Sequence, residues 1–231
     1  MSALEIPLET ARVQYGPNDS VEFYYPKELY NCAMKVLRGE YEHPMLPDYP
    51  KVNRVLDIGG NIGAFAMWSY VKWPGCWVDS YEPNGGACEI YKRNAPPGAK
   101  VHQFAVTVKP SAKLYIGGDW GWSSIIQGLN PHEEHSVDVP VLHPSELPSC
   151  DVLKVDAEGV ELEIVENYRH FSNIKIFMFE WHIERDRIEI EKVLIDKGLR
   201  CFRSAMDRVN LGQEIWIRSN AVWNEKQSRY A

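Results

Sequence analysis

An α/β fold, with a mostly parallel sheet covered by helices on both faces, is predicted by three features of this 231-residue chain. From about residue 52 onward, short apolar runs alternate with segments of helical spacing, as strands joined by crossover helices do. The first run, Val55-Leu56-Asp57-Ile58, breaks into Gly59-Gly60-Asn61-Ile62-Gly63 and resumes with helical spacing at Ala64-Phe65. Strand, tight loop and helix start therefore follow one another directly. Near the end, Leu199 to Ser204 and Glu214 to Arg218 read as two further strands. They are too close in sequence for a helical crossover and should pair antiparallel at the end of the sheet.

Residues 1 to about 50 differ from the rest. Phe23, Tyr24, Tyr25, Tyr30 and Tyr41 crowd together there, and Pro44, Pro47 and Pro50 close the segment. Within it Leu29, Cys32, Ala33, Val36 and Leu37 recur at i, i+3, i+4, i+7 and i+8, with Pro26 before them and Gly39 after, so one amphipathic helix is expected. The segment 1–50 reads as an N-terminal helical extension, a lid or substrate cap, whose apolar stripe serves packing first and a pocket wall second. Residues 51–231 form the main domain. Its strands are expected near 54–58, 76–81, 100–105, 151–155 and 174–180, where apolar residues run together between turn residues. Helices are expected near 63–72, 85–94, 160–169 and 184–197, the last with Ile190, Val193 and Leu194 on one side and Gly198 as its stop.

Composition narrows the partners. A formal charge of -7 gives no general attraction for nucleic acid or anionic membrane. The five cysteines are scattered without a Cys-x-x-Cys pair, which fits reduced thiols rather than disulfides or zinc. Met1-Ser2-Ala3-Leu4-Glu5 is not the start of a signal peptide, and no run of eighteen apolar residues occurs. A cytoplasmic protein without nucleic-acid or membrane partners is the expectation.

The residues suited to chemistry gather at predicted strand ends. Glycines at 59, 60 and 63 allow a tight turn and close approach to a nucleotide-like ligand, although their spacing departs from the dinucleotide fingerprint. Glu82 closes the second strand 19 residues beyond Gly63, the place of an acidic residue that accepts hydrogen bonds from ribose hydroxyls. The run Asp151-Val152-Leu153-Lys154-Val155-Asp156-Ala157-Glu158-Gly159-Val160-Glu161 is a strand ending in three carboxylates. Asp156 should emerge at the same sheet edge as Asp57 and Glu82, whereas Glu158 and Glu161 equally suit free N–H groups at a helix start. Glu180 and His182 end the fifth strand. Trp120, Trp122, Trp181 and Ser123-Ser124 flank strand ends, as wall or as packing. His132-Glu133-Glu134-His135 has the wrong histidine spacing for the helical zinc motif and reads as a solvated loop.

Four stretches together, Val55 to Gly63, Glu82-Pro83, Trp122-Ser123-Ser124-Ile125 and above all Leu153 to Glu161, resemble the FkbM family of S-adenosylmethionine-dependent methyltransferases. The resemblance spans roughly residues 39 to 182. It implies the class I methyltransferase (Rossmann-like) sheet of seven strands, the last one antiparallel, and O-methyl transfer to a hydroxyl of a small molecule or sugar. It places Asp57, Gly59, Gly60, Asn61 and Gly63 under the methionine portion of S-adenosyl-L-methionine, and Glu82 with Pro83 at the ribose. Gln103 to Ala105 would flank the adenine, and Ser124 and Asp156 would complete the donor site. Gly60 stands where the family more often has alanine, with little effect expected. Asp156 is the first catalytic candidate, with His182 and Glu180 beside it; alternatively Asp156 and Glu180 hold a divalent cation that acidifies the acceptor hydroxyl. An NAD-dependent oxidoreductase and a noncatalytic adenosine-ligand-binding protein are the competing readings.

Overall fold

The computed structural model describes residues 7–14, 20–42, 51–117, 123–129, 133–208 and 211–218. It begins with a hairpin of β1 (Leu8–Gln14) and β2 (Ser20–Pro26), followed by a short 3-10 turn and α1 (Tyr30–Leu37). The helix lies where expected, with Leu29 and Ala33 of the stripe buried, but Cys32 is exposed and Met34 is buried instead. The hairpin does not match any expected element: Phe23 and Tyr25 are buried on one face of β2 while Glu22 is exposed, a period of two inside what looked like an aromatic cluster.

The main sheet is built from β3 (Arg54–Ile58), α2 (Ala64–Lys72), β4 (Trp77–Tyr81), α3 (Gly85–Asn94) and β5 (Ala99–His102) on one side. A β-rich insertion follows, comprising β6 (Ala105–Val106), β7 (Ala112–Gly117), β8 (Glu133–Val139) and β9 (Val141–Leu142). The chain then completes the sheet with β10 (Val152–Val155), α4 (Glu161–Asn167), β11 (Ile176–Trp181), α5 (Glu184–Asp196), β12 (Leu199–Arg208) and β13 (Leu211–Arg218). Strand order is β5-β4-β3-β10-β11-β13-β12, and β13 runs antiparallel to both of its neighbours. Seven strands with the last one reversed is the expected fold class.

Two readings of the chain change here. The strand expected over 100–105 ends at His102, and Ala105–Val106 instead pairs with Val141–Leu142. Glu133, Glu134 and His135, expected in a solvated loop, instead begin β8, which pairs antiparallel with β7. Glu134 and His135 on it are solvent-exposed as expected, whereas His132, Trp120 and Trp122 lie outside the described residues.

Period-two alternation explains why the central strands look apolar throughout. Leu56, Ile58, Leu153, Val155, Phe177 and Phe179 pack in one core with Ile164, Val165, Ile190 and Leu194 of α4 and α5. Val55, Val78, Val152, Ile176 and Met178 pack in a second core with Phe65, Ala66 and Trp68 of α2. Both faces are covered, as a parallel sheet requires. No helix among the described residues is long and apolar enough to cross a membrane.

Candidate active site

A lysine in the buried run Val152-Leu153-Lys154-Val155 interrupts the hydrophobic pattern, and strand register shows why it is tolerated. Lys154 is the cross-strand partner of Asp57, and Asp57 is the partner of Ser80. The three therefore stand side by side on the α2 face of β10, β3 and β4. Lys154 Nζ lies 3.1 Å from Asp57 Oδ1 and donates to the Gly59 carbonyl at 2.7 Å. Ser80 Oγ donates to Asp57 Oδ2 at 2.8 Å and also bonds the Tyr91 hydroxyl. Burial raises the Asp57 carboxyl pKa while Lys154 and Ser80 pull it back. Burial lowers that of Lys154, but Asp57 and Asp156 more than reverse it and hold the ammonium charged.

Gly59 and Gly60 are required by close approach. Gly59 has φ +82°, and a Cβ there would sit 1.8 Å from the Asp156 carbonyl oxygen. The loops after β3 and β10 thus touch backbone to backbone. At Gly60 a Cβ would lie 2.8 Å from Ser80 Cβ, and Ser80 is held by Asp57 and Tyr91. Glycine at 60 therefore matters in this chain, contrary to the expectation. Gly63 caps α2 beside the ring of Tyr91.

Glu82, just past β4, is buried and accepts from Asn61 N and Asn84 N, each at 2.8 Å. Burial pushes its carboxyl up to about 7, against those two amides. Asn61 itself has φ +45°, and its Oδ1 is buried without a hydrogen-bond partner. A buried acceptor with nothing to accept is a place for a ligand donor.

Two open clefts meet at this edge. One, of about 620 Å³, is lined by Tyr81, Glu82, Pro83, Phe104, Ala105 and Ser123, among others. The second, of about 880 Å³, lies under the N-terminal segment and is lined by Leu29, Ala33, Tyr41, Lys154, Glu180 and His182, among others. Gly59, Asn61, Asp156 and Glu158 border both. Most of the residues singled out from sequence therefore converge. Asp57 stands behind the loop, paired to Lys154. Gln103 is exposed and lies against Gly85, and it does not line either cleft. Ser124 turns its hydroxyl away, donating to the Glu158 carbonyl at 2.7 Å, and Ser123 faces the cleft in its place. Trp181 is packing: it is buried, with the Arg187 guanidinium 5.2 Å from its ring centroid.

Sequence reasoning assigned no role to Lys154, Ser80 or Asn94. Lys154 carried a visible mark, a charge inside a buried strand. Asn94 carried none. Its side chain accepts from Tyr24 N at 2.7 Å and donates to the carbonyls of Tyr24 and Ile62 at 2.8 Å each, tying β2 to the glycine loop.

The carboxylates around His182 set its charge. His182 Nδ1 is 3.1 Å from Glu161 Oε1, and Nε2 is 3.1 Å from Glu158 Oε2 and 4.0 Å from Asp156 Oδ1. Burial lowers the imidazole, but Glu161, Glu158 and Asp156 outweigh it and carry the group up to about 10. The surrounding carboxyls thus favour the protonated imidazole of His182 and work against its accepting a further proton. Burial raises Glu180 to about 8, with Asp156 adding to it. Burial likewise raises Glu158 to about 8, with His182 opposing. Asp156 and Glu180, the pair expected to hold a divalent cation, line the same cleft, but Glu180 is not in the set of three that comes together among the described residues. The oxygens and nitrogen that come within 4.8 Å of one another belong to Asp156, Glu158 and His182, a set already closed by the imidazolium.

No family model matches the chain. Methyltransferase 1 of Beauveria bassiana (strain ARSEF 2860) is 25% identical, over 51% of this chain and 59% of the fungal protein, so the matched region spans little more than half of that relative. Methyltransferase sdnD of Sordaria araneosa is 25% identical, over 83% of this chain and 87% of its own length. Among solved structures, the fibrillarin pre-rRNA processing protein of Methanococcus jannaschii superposes with a TM-score of 0.50 at 10% identity, covering 94% of this chain and 84% of that one. The sheet is that of the class I methyltransferases, and the sequence is similar to those of two fungal methyltransferases.

Proposed function

We propose that this protein is an S-adenosylmethionine-dependent O-methyltransferase acting on a hydroxyl of a small molecule or sugar. The observation that carries the reading is the meeting of the two clefts at Gly59, Asn61, Asp156 and Glu158, since a donor and an acceptor must reach one point from two sides. The residues fit the donor. Glu82 has lone pairs left for a ribose diol, Tyr81, Phe104 and Ala105 offer apolar faces to an adenine, and the unpartnered Asn61 Oδ1 suits an amine donor. The two fungal relatives are methyltransferases by name, which supports the same activity. Within the methyltransferases, the Leu153 to Glu161 run supports membership of the FkbM family, and five scattered cysteines without a Cys-x-x-Cys pair support a reducing, cytoplasmic setting.

The bound donor supplies an already activated methyl group. The chain's own task is to hold the acceptor oxygen in line, an orientation effect of about 7–11 kcal/mol. The second cleft does so with an apolar wall from Leu29, Ala33, Val36 and Tyr41 opposite the carboxyls of Asp156, Glu158 and Glu180. That pairing suits a hydroxylated ring with one apolar face. Glu180, raised to about 8, is the group to take the acceptor's proton, since a base works best with a pKa near the operating pH. Asp156 lies 3.4 Å from Lys154 Nζ, beside the junction. The N-terminal segment acts as the cap over the acceptor.

A screen of hydroxylated sugars, lipids and polyketide-like compounds for donor-dependent gain of one methyl group tests this. Methylation of at least one hydroxyl is expected, with full activity in chelator because the Asp156, Glu158 and His182 set is closed internally. Donor binding without transfer to any acceptor class would instead favour the noncatalytic adenosine-binding reading.

A further inference from the structure

We propose that Glu161 is a positioning residue for the junction where donor and acceptor meet, acting through both His182 and the loop that carries Asp156 and Glu158. Its side chain is 2% exposed, and it lines neither of the two clefts. It is nevertheless the most heavily bonded carboxylate of the site. Oε1 accepts from Ala157 N and Gly159 N at 3.0 Å each, and Oε2 accepts from Gly159 N at 3.1 Å. These two amides bracket Glu158, a non-glycine residue at φ +52°. The same Oε1 holds His182 Nδ1 at 3.1 Å, which leaves Nε2 aimed at Glu158 and Asp156.

One buried carboxylate thus fixes two things at once. It locks the backbone turn that presents Asp156 and Glu158 to both clefts, and it fixes the ring angle and Nδ1 proton of the cation between them. A helix-start acidic residue would bond amides of its own first turn. Glu161 instead bonds amides ahead of its helix and a residue beyond the next strand, so its geometry answers to the junction. The kinetic part of this inference rests on the proposed methyl transfer; the structural part does not.

The test uses the full chain labelled with ¹⁵N-histidine, the ring N–H resonances being assigned with His182→Gln. Wild type should show a downfield Nδ1–H resonance for His182 in slow exchange with solvent. Glu161→Gln, which keeps size and an acceptor oxygen but removes the charge, should move that resonance upfield or lose it. With an accepted methyl acceptor, kcat should fall by roughly tenfold to 100-fold, as misplacement of reacting groups by about an ångström costs. S-adenosylhomocysteine affinity should stay within about threefold. Glu161→Asp, which keeps the carboxylate on a shorter arm, should retain a shifted Nδ1–H resonance and recover part of kcat. An unchanged His182 resonance in Glu161→Gln overturns the proposal, as does a loss of donor affinity as large as the loss of kcat. If Glu161→Gln does not fold, Glu161→Asp decides alone: a wild-type resonance together with wild-type kcat overturns it. Failure of methyl transfer in wild type would count against the proposed activity, while the resonance comparison would still judge Glu161.

Discussion

Replacing Glu82 by glutamine isolates the proposed ribose contact. In the free protein both carboxylate oxygens already accept a backbone amide at 2.8 Å, from Asn61 and Asn84, and burial keeps the group near 7. A diol donating to an ionised carboxylate gains about 1.5 kcal/mol or more per bond, so two bonds lost amount to about 3 kcal/mol, or on the order of 100-fold in Kd. The same carboxyl sets a pH signature. A diol donates to the ionised form, so affinity for S-adenosylhomocysteine should climb about tenfold per pH unit below 7 and level off above it. Titration calorimetry at pH 5.5, 6.5, 7.5 and 8.5 on wild type and Glu82→Gln measures both effects. Melting curves must accompany it, because one glutamine nitrogen will face a backbone N–H of residue 61 or 84. Affinity that is flat with pH in wild type and changes less than about threefold in a folded Glu82→Gln would refute the assignment.

The donor-free protein should lose stability as pH rises from about 6.5 toward 10. Glu158 and Glu180, raised to about 8, and His182, raised to about 10, all hold a proton more tightly folded than unfolded. Their contribution is present below the ordinary values and lost through the raised ones. Melting temperature followed across that range should fall, less steeply in a Glu158→Gln, Glu180→Gln double variant; a rise between pH 7 and 9 would contradict the charge assignment. Lys154→Met leaves Asp57, with 0% side-chain exposure, without its cation, and urea unfolding should show a loss of about 3–5 kcal/mol. Gly60→Ala should cost about 1–3 kcal/mol in urea unfolding through the 2.8 Å approach to Ser80 Cβ, and an unchanged midpoint would contradict the close packing.

The order of strands and helices from residue 52 onward was legible because buried parallel strands and their crossover helices leave local patterns. Arg54 to Ile58, Trp77 to Tyr81 and Ile176 to Trp181 each lie within two residues of the expected span. The loop with Asp57 and Gly59, and the strand-end acids Glu82 and Asp156, were legible from spacing. What was not legible depends on pairing between distant residues. The β7–β8 hairpin is mostly solvent-exposed on β8, so no apolar period announces it. Of the expected run Gln103 to Ala105, Phe104 and Ala105 line the cleft and Gln103 does not, and of the Ser123-Ser124 pair Ser123 lines it while Ser124 bonds the Glu158 carbonyl, distinctions that depend on contacts with distant residues. His182 looked like a base until Glu161 and Glu158 were found against its two nitrogens, carboxylates 21 and 24 positions earlier in the chain.

The contact between Gly59 and the Asp156 carbonyl also restricts how such a site can be rebuilt. With only 1.8 Å separating a hypothetical Cβ from that oxygen, the loop after β3 and the loop after β10 fit as a matched pair of surfaces. Neither can drift in sequence or shape on its own without prising the other away, and Lys154 fastens the seam by donating to the Gly59 carbonyl from the second strand. The N-terminal segment is held on the same region by apolar packing of Phe23, Leu29, Ala33 and Met34 against Ile62, Ala64 and Met67, and by the side chain of Asn94. The loop after β3 is therefore transferable only together with the strand end that closes against it, and any exchange of the N-terminal segment has to preserve its packing on Ile62 and Met67.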